Sequence, residues 1–310
     1  MKTDERYLQF PLSLLRDLFT DKKKVIDQII RYGIYRYSKS FSYTLNDVSR
    51  QLMYAYYRND LSSDLLKAMT TYVNDELIEL DEDYNGFGDT KFSPDIEVEQ
   101  LLGIFESDKE FEGKAIEYYQ MHLSYQSLGL TGSIEQALKV AKEIEKHIPA
   151  NDPMPMISRT HLFNFRDHDK TEFELAQFTV FIALRSIIGG KRQYAKTNKL
   201  HIASRMFGYA SHKHLPDKFS PAIKELFNKY TNRYHIDKVL QELELNWNVK
   251  IYSKNMRGML VAMGNKIKME DLILAAETQK RKNRIEALIK SKDEARVKAL
   301  QQLNKGEQLK

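Results

Sequence analysis

The chain has 310 residues, of which 42% are hydrophobic and 29% charged, a composition typical of a globular protein with about two domains. It contains no cysteine, and this excludes disulfide frameworks, thiolate nucleophiles and cysteine-ligated zinc. Its apolar runs fall short of the roughly 20 residues that a membrane span needs, and residues 1–6 are charged, unlike a secretory signal. We therefore expect a cytoplasmic protein that makes no membrane contact.

The net charge of +5 conceals an uneven distribution along the chain. Residues 1–190 contain 22 Lys and Arg against 31 Asp and Glu, whereas residues 191–310 contain 26 against 12. A basic part joined to an acidic part indicates that the basic part meets an anionic partner such as nucleic acid. The alternative is that these basic helices are merely solvated.

Residues 1–150 contain repeated helical patterns. Asp21 is placed to cap a helix whose apolar residues recur at helical spacing. Two more caps are expected at Thr44 and Ser133, each followed three positions later by a polar residue that completes a capping arrangement. We predict that this region is an acidic helical domain that mediates oligomerisation or partner contact. Its patterns up to residue 80 form a candidate second helix-turn-helix unit.

Two short stretches resemble metal-binding segments without matching them. Residues 81–92 begin like a calcium-binding loop, but the twelfth position is Phe92 instead of the bidentate Glu that closes such loops. Residues 161–169 contain two His and two Asp, the residue types that metal-dependent phosphohydrolases use, but the spacing is not distinctive. We expect a surface turn at the first stretch and a polar loop before Thr171 at the second, with no metal, cofactor or catalytic site.

A cluster of prolines marks the predicted domain boundary. Pro149, Pro153 and Pro155 fall within seven residues, and prolines stiffen the backbone and stop helices. We therefore predict a second, basic domain over residues 156–268. A basic C-terminal helix over residues 269–310 is expected to follow it.

Helical signals come in close succession after residue 171. An apolar run over residues 173–188 ends at two glycines, which favours a helix that stops there. Either Thr197 or Asn198 caps the next helix. The residues of that helix that we expect to face inward are Leu200, Ala203, Phe207 and Tyr209.

The next helix cannot pass through Pro216, because an interior proline costs about 3 kcal/mol. We therefore place its start at Ser220, with Pro221 at the first helical position, where the missing N–H costs nothing. It ends near residue 230. Another helix is predicted over residues 231–245.

A β-hairpin is predicted from residues 249–253 and 259–263, which flank a turn containing Gly258. This order of helices followed by a hairpin resembles the winged helix-turn-helix fold of DNA-binding proteins. The resemblance implies that a helix enters a DNA groove, either 220–230 or 231–245, and that the hairpin is a wing. Topology favours the second helix, which directly precedes the hairpin.

A helical pattern without proline or glycine runs from residue 269 to about residue 303. Its apolar positions are sparse and basic residues cluster at its centre, so it either binds nucleic acid or orders on a protein partner. Together with the basic domain before it, this helix supplies the candidate nucleic-acid-binding residues. They are Lys191, Arg192, Lys196, Lys199, Arg205, Lys213, Arg233, Lys238, Lys254, Asn255, Arg257, Lys280, Arg281, Lys282 and Arg284.

The sequence therefore predicts a mainly α protein: a helical N-terminal region, then a winged-helix-like domain with a short β-hairpin, then a long C-terminal helix. We expect it to bind DNA, most simply duplex DNA, without catalysis, as a replication-initiation, partition or regulatory protein. Phosphate contacts by its basic residues would give affinity without sequence choice. The alternative is a structural or scaffold protein whose basic helical tail binds a protein partner.

Overall fold

The computed structural model of this chain describes residues 7–50, 103, 109–190, 192–254, 256–265 and 267–307. These residues are mostly helical, with two small antiparallel sheets, and the expected mainly α class is confirmed. They form two compact units, and the chain divides between Lys170 and Thr171. Among the described residues, no helix is both long and apolar enough to cross a bilayer.

Helices pack together in the first unit: α1 (Lys22–Ser38), α2 (Lys109–Leu128) and α3 (Ile134–Lys146). The expected cap at Asp21 is confirmed, because its carboxylate accepts a hydrogen bond from the backbone N–H of Lys24 at 3.2 Å. Ser133 caps α3 in the same way, through a hydrogen bond from the backbone N–H of Gln136 to its Oγ at 3.2 Å. Local capping chemistry thus sets where these helices begin.

The cap expected at Thr44 is also confirmed. The backbone N–H of Thr44 donates to Asp47 Oδ2 at 2.8 Å, and the N–H of Asp47 donates to Thr44 Oγ1 at 3.4 Å. Residues 45–50 are helical. Most of the candidate second helix-turn-helix unit and the calcium-loop-like residues 81–92 lie outside the described residues.

A two-stranded sheet joins distant parts of the first unit. Strand β1 (Tyr7–Gln9) pairs antiparallel with β2 (Met156–Ser158), and neither strand was predicted from the sequence. Just beyond β1, the backbone N–H of Ser13 donates to the carboxylate of Asp152 at 2.9 Å. The proline-rich segment follows the end of α3, as predicted, and runs along the N-terminal chain within the first compact unit.

The stretch of His and Asp residues is helical as far as Asp167, so the predicted polar loop is reduced to residues 168–170. Helix α4 (Arg159–Asp167) begins after Ser158, whose Oγ accepts a hydrogen bond from the backbone N–H of His161 at 3.4 Å. Leu162 and Phe165 are buried and lie on one face of this short helix. The division between the two units therefore follows α4, later in the chain than the predicted boundary.

The second unit begins with α5 (Glu172–Ile188), which has a complete capping box. The N–H of Glu174 donates to Thr171 Oγ1 at 3.3 Å, and the N–H of Thr171 donates to the Glu174 carboxylate at 2.9 Å. The helix ends as predicted at Gly189, whose φ is 69°. Ten of its residues are buried, so later helices and strands pack around it.

Shorter helices follow: α6 (Lys199–Met206), α7 (Pro221–Thr231) and α8 (Arg233–Asn246). Asn198, one of the two predicted caps, accepts a hydrogen bond from the N–H of His201 at 2.8 Å. Ser220 caps α7, with proline at the first helical position as predicted. Asn232 both ends α7 and caps α8, by accepting from the N–H of Tyr234 at 2.9 Å.

One expectation about α6 is wrong. Leu200 was expected to face inward, but 45% of its surface is exposed. Ala203 and Phe207 are fully buried as expected, and Ile202 and Met206 are buried with them. They occupy one stripe at helical spacing, and Leu200 lies at the edge of that stripe.

The predicted hairpin is confirmed as β4 (Val249–Tyr252) and β5 (Met259–Met263). Strand β3 (Tyr194–Thr197) pairs antiparallel with the other edge of β5, so the order across the sheet is β3, β5, β4. The sequence did not predict β3, because its four residues are too few for a clear alternating pattern.

The long C-terminal helix is confirmed as α9 (Met269–Glu307). Leu272 and Ala276 are fully buried and belong to one apolar cluster with Leu260 of β5. The described side chains from Arg281 onward are exposed. The first turns of α9 are thus part of the core of the second unit, and only the later turns form an exposed basic helix.

Candidate nucleic-acid interface

The turn of the β4–β5 hairpin is fixed against the start of α6. Gly258 in this turn has a φ of 84°, a conformation that residues with a Cβ rarely adopt. A Cβ at this position would collide with the carbonyl oxygen of Thr197 and would lie 3.9 Å from the Cβ of Asn198, the α6 cap. The close approach therefore requires glycine, and it holds the exposed Arg257 beside the N-terminus of α6.

An ion-pair network joins the start of α6 to the first turns of α8. The Nζ of Lys199 lies 2.5 Å from Asp237 Oδ1, and the Nε of Arg233 lies 3.6 Å from Asp237 Oδ2. Lys196 is exposed in β3, three residues before Lys199. The fold therefore brings together Lys199 of α6 and Arg233 of α8, while Lys196 of β3 and Arg257 of the hairpin turn lie in the segments next to the start of α6.

We call this region the α6–α8 surface and define it by Lys196, Lys199, Arg233, Tyr234 and Arg257. The side chain of Tyr234 is 69% exposed, which is unusual for a large aromatic residue. Its ring meets His235 edge-on at a centroid distance of 5.3 Å. An exposed tyrosine offers both a hydrogen-bonding hydroxyl and a flat apolar face, and tyrosine is among the residues that bind nucleic-acid backbones.

The helix termini add favourable partial charges to this surface. Both α6 and α8 begin here, and neither has an acidic residue in its first turn. The first N–H groups of a helix lack intrahelical acceptors and carry partial positive charge, which favours a bound anion. Two helix N-termini and four cations together form a region suited to phosphate groups.

Two predicted residues turn toward α5 instead. The terminal Nη1 of Arg205 donates to Ser186 Oγ at 3.1 Å, and the guanidinium group is half-buried. Lys238 places its Nζ 5.3 Å from the centroid of the Phe173 ring, a cation–π contact. Both cations therefore contribute to packing between helices, and this makes them less available for contact with a phosphate.

The first basic residue of α9 is tied to the hairpin. Lys280 lies 2.6 Å from the carboxylate of Glu277, which also accepts a hydrogen bond from the hydroxyl of Tyr252 at 3.0 Å. The hydrogen bonds from Lys280 and Tyr252 hold the pKa of Glu277 below its usual value. Lys254 in the hairpin turn adds a weaker favourable charge to the same carboxylate. The cations on this side of the hairpin are therefore already partly neutralised by the Glu277 carboxylate.

The other predicted residues are dispersed. Arg192 precedes β3, and Lys213 lies in a 3-10 turn (His212–His214) after α6; both are exposed. Arg281, Lys282 and Arg284 are exposed on α9. Lys191 and Asn255 lie outside the described residues.

The residues considered for metal binding make local contacts. His161 Nδ1 lies 2.5 Å from Ser158 Oγ, and His168 Nδ1 lies 3.1 Å from the carbonyl of Asn164. Asp167 forms an ion pair with Arg166, which lowers the pKa of its carboxyl group. In the part of the chain that the structure describes, no group of three His, Asp or Glu side chains is arranged to hold a metal ion.

Two features of the interface were not fully predicted from the sequence. Asp237 was not singled out, although its position four residues after Arg233 is the spacing of a helical ion pair. A positive φ at Gly258 could be anticipated from the turn, but its contact with Thr197 could not, because that contact joins segments far apart in the chain.

Comparisons with known proteins offer no independent guide to this interface. Neither the protein-family models, nor the curated proteins, nor the solved structures that were searched match the chain. The functional argument therefore depends on the arrangement of the side chains described above.

Proposed function

We propose that this protein binds duplex DNA without catalysis, through the α6–α8 surface and the hairpin turn. The observation that carries the proposal is the contact of Gly258 with Thr197, which places Arg257 beside the start of α6. On this proposal, cations from separate chain segments contact the same stretch of phosphate backbone. We further propose a cytoplasmic role in replication initiation, partition or regulation.

The order of elements supports the choice of α8 as the helix that enters a groove. In a helix-turn-helix protein, the N-terminal residues of the reading helix contact base edges while a preceding helix crosses the backbone. Helix α8 directly precedes the hairpin and carries Arg233 and Tyr234 in its first turn. Its C-terminal half contains Glu242 and Glu244, which phosphates would repel. We therefore assign groove contact to its first two turns.

The resemblance to a winged helix-turn-helix belongs to the same proposal. Helices α5, α6 and α8 precede the hairpin, and β3 completes a small sheet on the far edge of β5. In this arrangement the turn at Arg257 is a wing that reaches the backbone next to the groove occupied by α8. The wing and the N-terminus of α6 would then hold neighbouring phosphates.

Electrostatics gives the proposal a quantitative test. Each phosphate that a protein neutralises releases condensed counterions and contributes about −0.9 to the slope of log K against log salt concentration. Four cations on the α6–α8 surface predict a slope near −3.6, which is roughly a 100-fold loss of affinity between 50 and 200 mM salt. Titrating a mixed-sequence duplex at both concentrations tests this. Absence of binding at the lower concentration, or binding that salt does not affect, would contradict the proposal.

A second function is favoured by the exposed part of α9. Five large apolar side chains there are about half exposed: Ile285 49%, Leu288 55%, Ile289 55%, Val297 52% and Leu300 52%. Exposed apolar side chains on one helix are typical of a surface that meets a protein partner. Under this alternative the protein is a scaffold, and the first unit supplies an oligomer contact.

The two functions predict different consequences of shortening the chain after Gln279. Residues up to that point include the buried Leu272 and Ala276, so the second unit keeps its core. A DNA-binding protein would retain salt-dependent binding through the α6–α8 surface. A scaffold would lose its assembly, which light scattering of the full and shortened chains would detect.

A further inference from the structure

The α6–α8 surface contains one acidic group among its cations. Asp237 contacts both Lys199 and Arg233 through its two carboxylate oxygens, at 2.5 and 3.6 Å. Its side chain is 46% exposed, so the carboxylate lies at the surface and not in the core. A DNA phosphate would have to compete with this carboxylate for the same two cations.

We propose that Asp237 is a specificity-determining residue that competes with phosphate for Lys199 and Arg233 and so suppresses binding to arbitrary DNA. This inference rests on the proposed function. In the free protein the carboxylate neutralises part of the charge that would otherwise attract any duplex. Only a site that offers additional contacts, to the wing or to the first turns of α8, compensates for separating these ion pairs.

The chemistry favours competition over simple support of the fold. A carboxylate and a phosphate are both oxyanions, and lysine and arginine bind either through charge-assisted hydrogen bonds. Arg233 is 89% exposed, and Lys199 is 30% exposed, so both can exchange one anion for the other. Ion pairs between exposed groups contribute little to stability, which leaves such an exchange energetically accessible.

The discriminating variant is Asp237→Asn, which keeps the shape of the side chain and removes its charge. We expect it to bind a mixed-sequence duplex about 10-fold more tightly at 100 mM salt, because the contacts of Lys199 and Arg233 with phosphate no longer require two ion pairs to be separated. Asp217→Asn is the matched control. Asp217 is exposed in the loop before α7, so this change alters the net charge equally without freeing Lys199 or Arg233. We expect a change of less than about 2-fold in affinity, and no change in slope, for the control.

A double change tests the mechanism itself. In the Asp237→Asn background, Lys199→Gln should remove a larger factor of affinity than it does in the unaltered protein, because Lys199 is released from its partner only there. Additive effects would mean that Asp237 does not restrain Lys199. Circular dichroism and urea midpoints establish that the variants are folded, and Asp237→Ser serves as a second neutral variant.

The outcomes separate this inference from the function on which it rests. If the unaltered protein binds DNA and the folded Asp237→Asn variant binds with the same or lower affinity, the competition is refuted and DNA binding stands. If neither protein binds duplex DNA at 50 mM salt, both proposals fail. If Asp217→Asn and Asp237→Asn have equal effects, only net charge matters and Asp237 has no particular role.

Discussion

Four of the predicted nucleic-acid-binding residues lie on the α6–α8 surface and four lie on α9, but the fold treats the two groups differently. On the α6–α8 surface, Asp237 holds Lys199 and Arg233 together, and the close approach of Gly258 to Thr197 fixes the hairpin turn that carries Arg257. Those of α9 follow one another along a single helix, and three of them project into solvent. The two groups have the same charge, but only the first is a candidate binding site, because tertiary contacts fix the positions of its residues.

The largest expected effect concerns the difference between the buried first turns of α9 and its exposed later turns. Leu272 is fully buried against β5, whereas Ile285 is 49% exposed. We expect Leu272→Ala to lower the free energy of unfolding by about 2–5 kcal/mol, as for other buried leucines. Ile285→Ala should change it by less than about 0.5 kcal/mol. Urea unfolding of both variants measures this, and equal effects would show that α9 is one uniform element.

The next effect concerns the hairpin turn. In the Gly258→Ala variant, a residue with a Cβ must adopt a positive φ, and that Cβ collides with the Thr197 carbonyl oxygen. We therefore expect the free energy of unfolding to fall by about 1–3 kcal/mol and DNA binding to weaken. Gly190→Ala is the control, because Gly190 is exposed and a Cβ there would meet no atom within 4 Å. A Gly258→Ala variant as stable as the Gly190→Ala variant would mean that the turn does not rest on α6.

A smaller expected effect is a dependence of stability on pH that arises from His201 in α6. Burial, and then the charges of Arg205 and His212, lower the pKa of His201 below its ordinary value of 6.5. The unfolded chain therefore binds this proton more readily than the folded chain does, and stability should fall as the pH drops below about 6.5. The loss continues until the pH reaches the lowered pKa of the folded state. Urea midpoints at pH 7.5 and 5.5 should differ less in His201→Gln than in the unaltered protein, and an identical dependence would contradict this assignment.

Local signals in the sequence predicted much of this fold. Capping residues at Asp21, Ser133 and Ser220 set helix starts that the structure confirms, and the β4–β5 hairpin follows from apolar residues around a turn. The pairing of β1 with β2 was missed because it joins Tyr7 to Ser158, and no local pattern encodes so distant a partner. Helix α4 was missed because only two of its residues are buried, which leaves a weak apolar pattern.

The candidate site was predictable in its charge but not in its geometry. The surplus of Lys and Arg after residue 190 is visible in the sequence, and it supplies every cation of the α6–α8 surface. Which cations meet depends on contacts between segments, such as Lys199 with Asp237. The same dependence explains why Arg205 and Lys238, equally basic in the sequence, are directed toward α5.

The measurement that tests the central claim most directly compares the salt dependence of duplex DNA binding in two charge-matched double variants. Lys196→Gln with Arg257→Gln removes two cations from the α6–α8 surface, and Lys282→Gln with Arg284→Gln removes two from α9. We predict that the first pair reduces the magnitude of the slope by about 2, roughly one per lost phosphate contact, and that the second pair reduces it by less than about 1. An unchanged slope in the first variant while it remains folded, or a larger reduction in the second, would contradict the assignment of DNA binding to the α6–α8 surface.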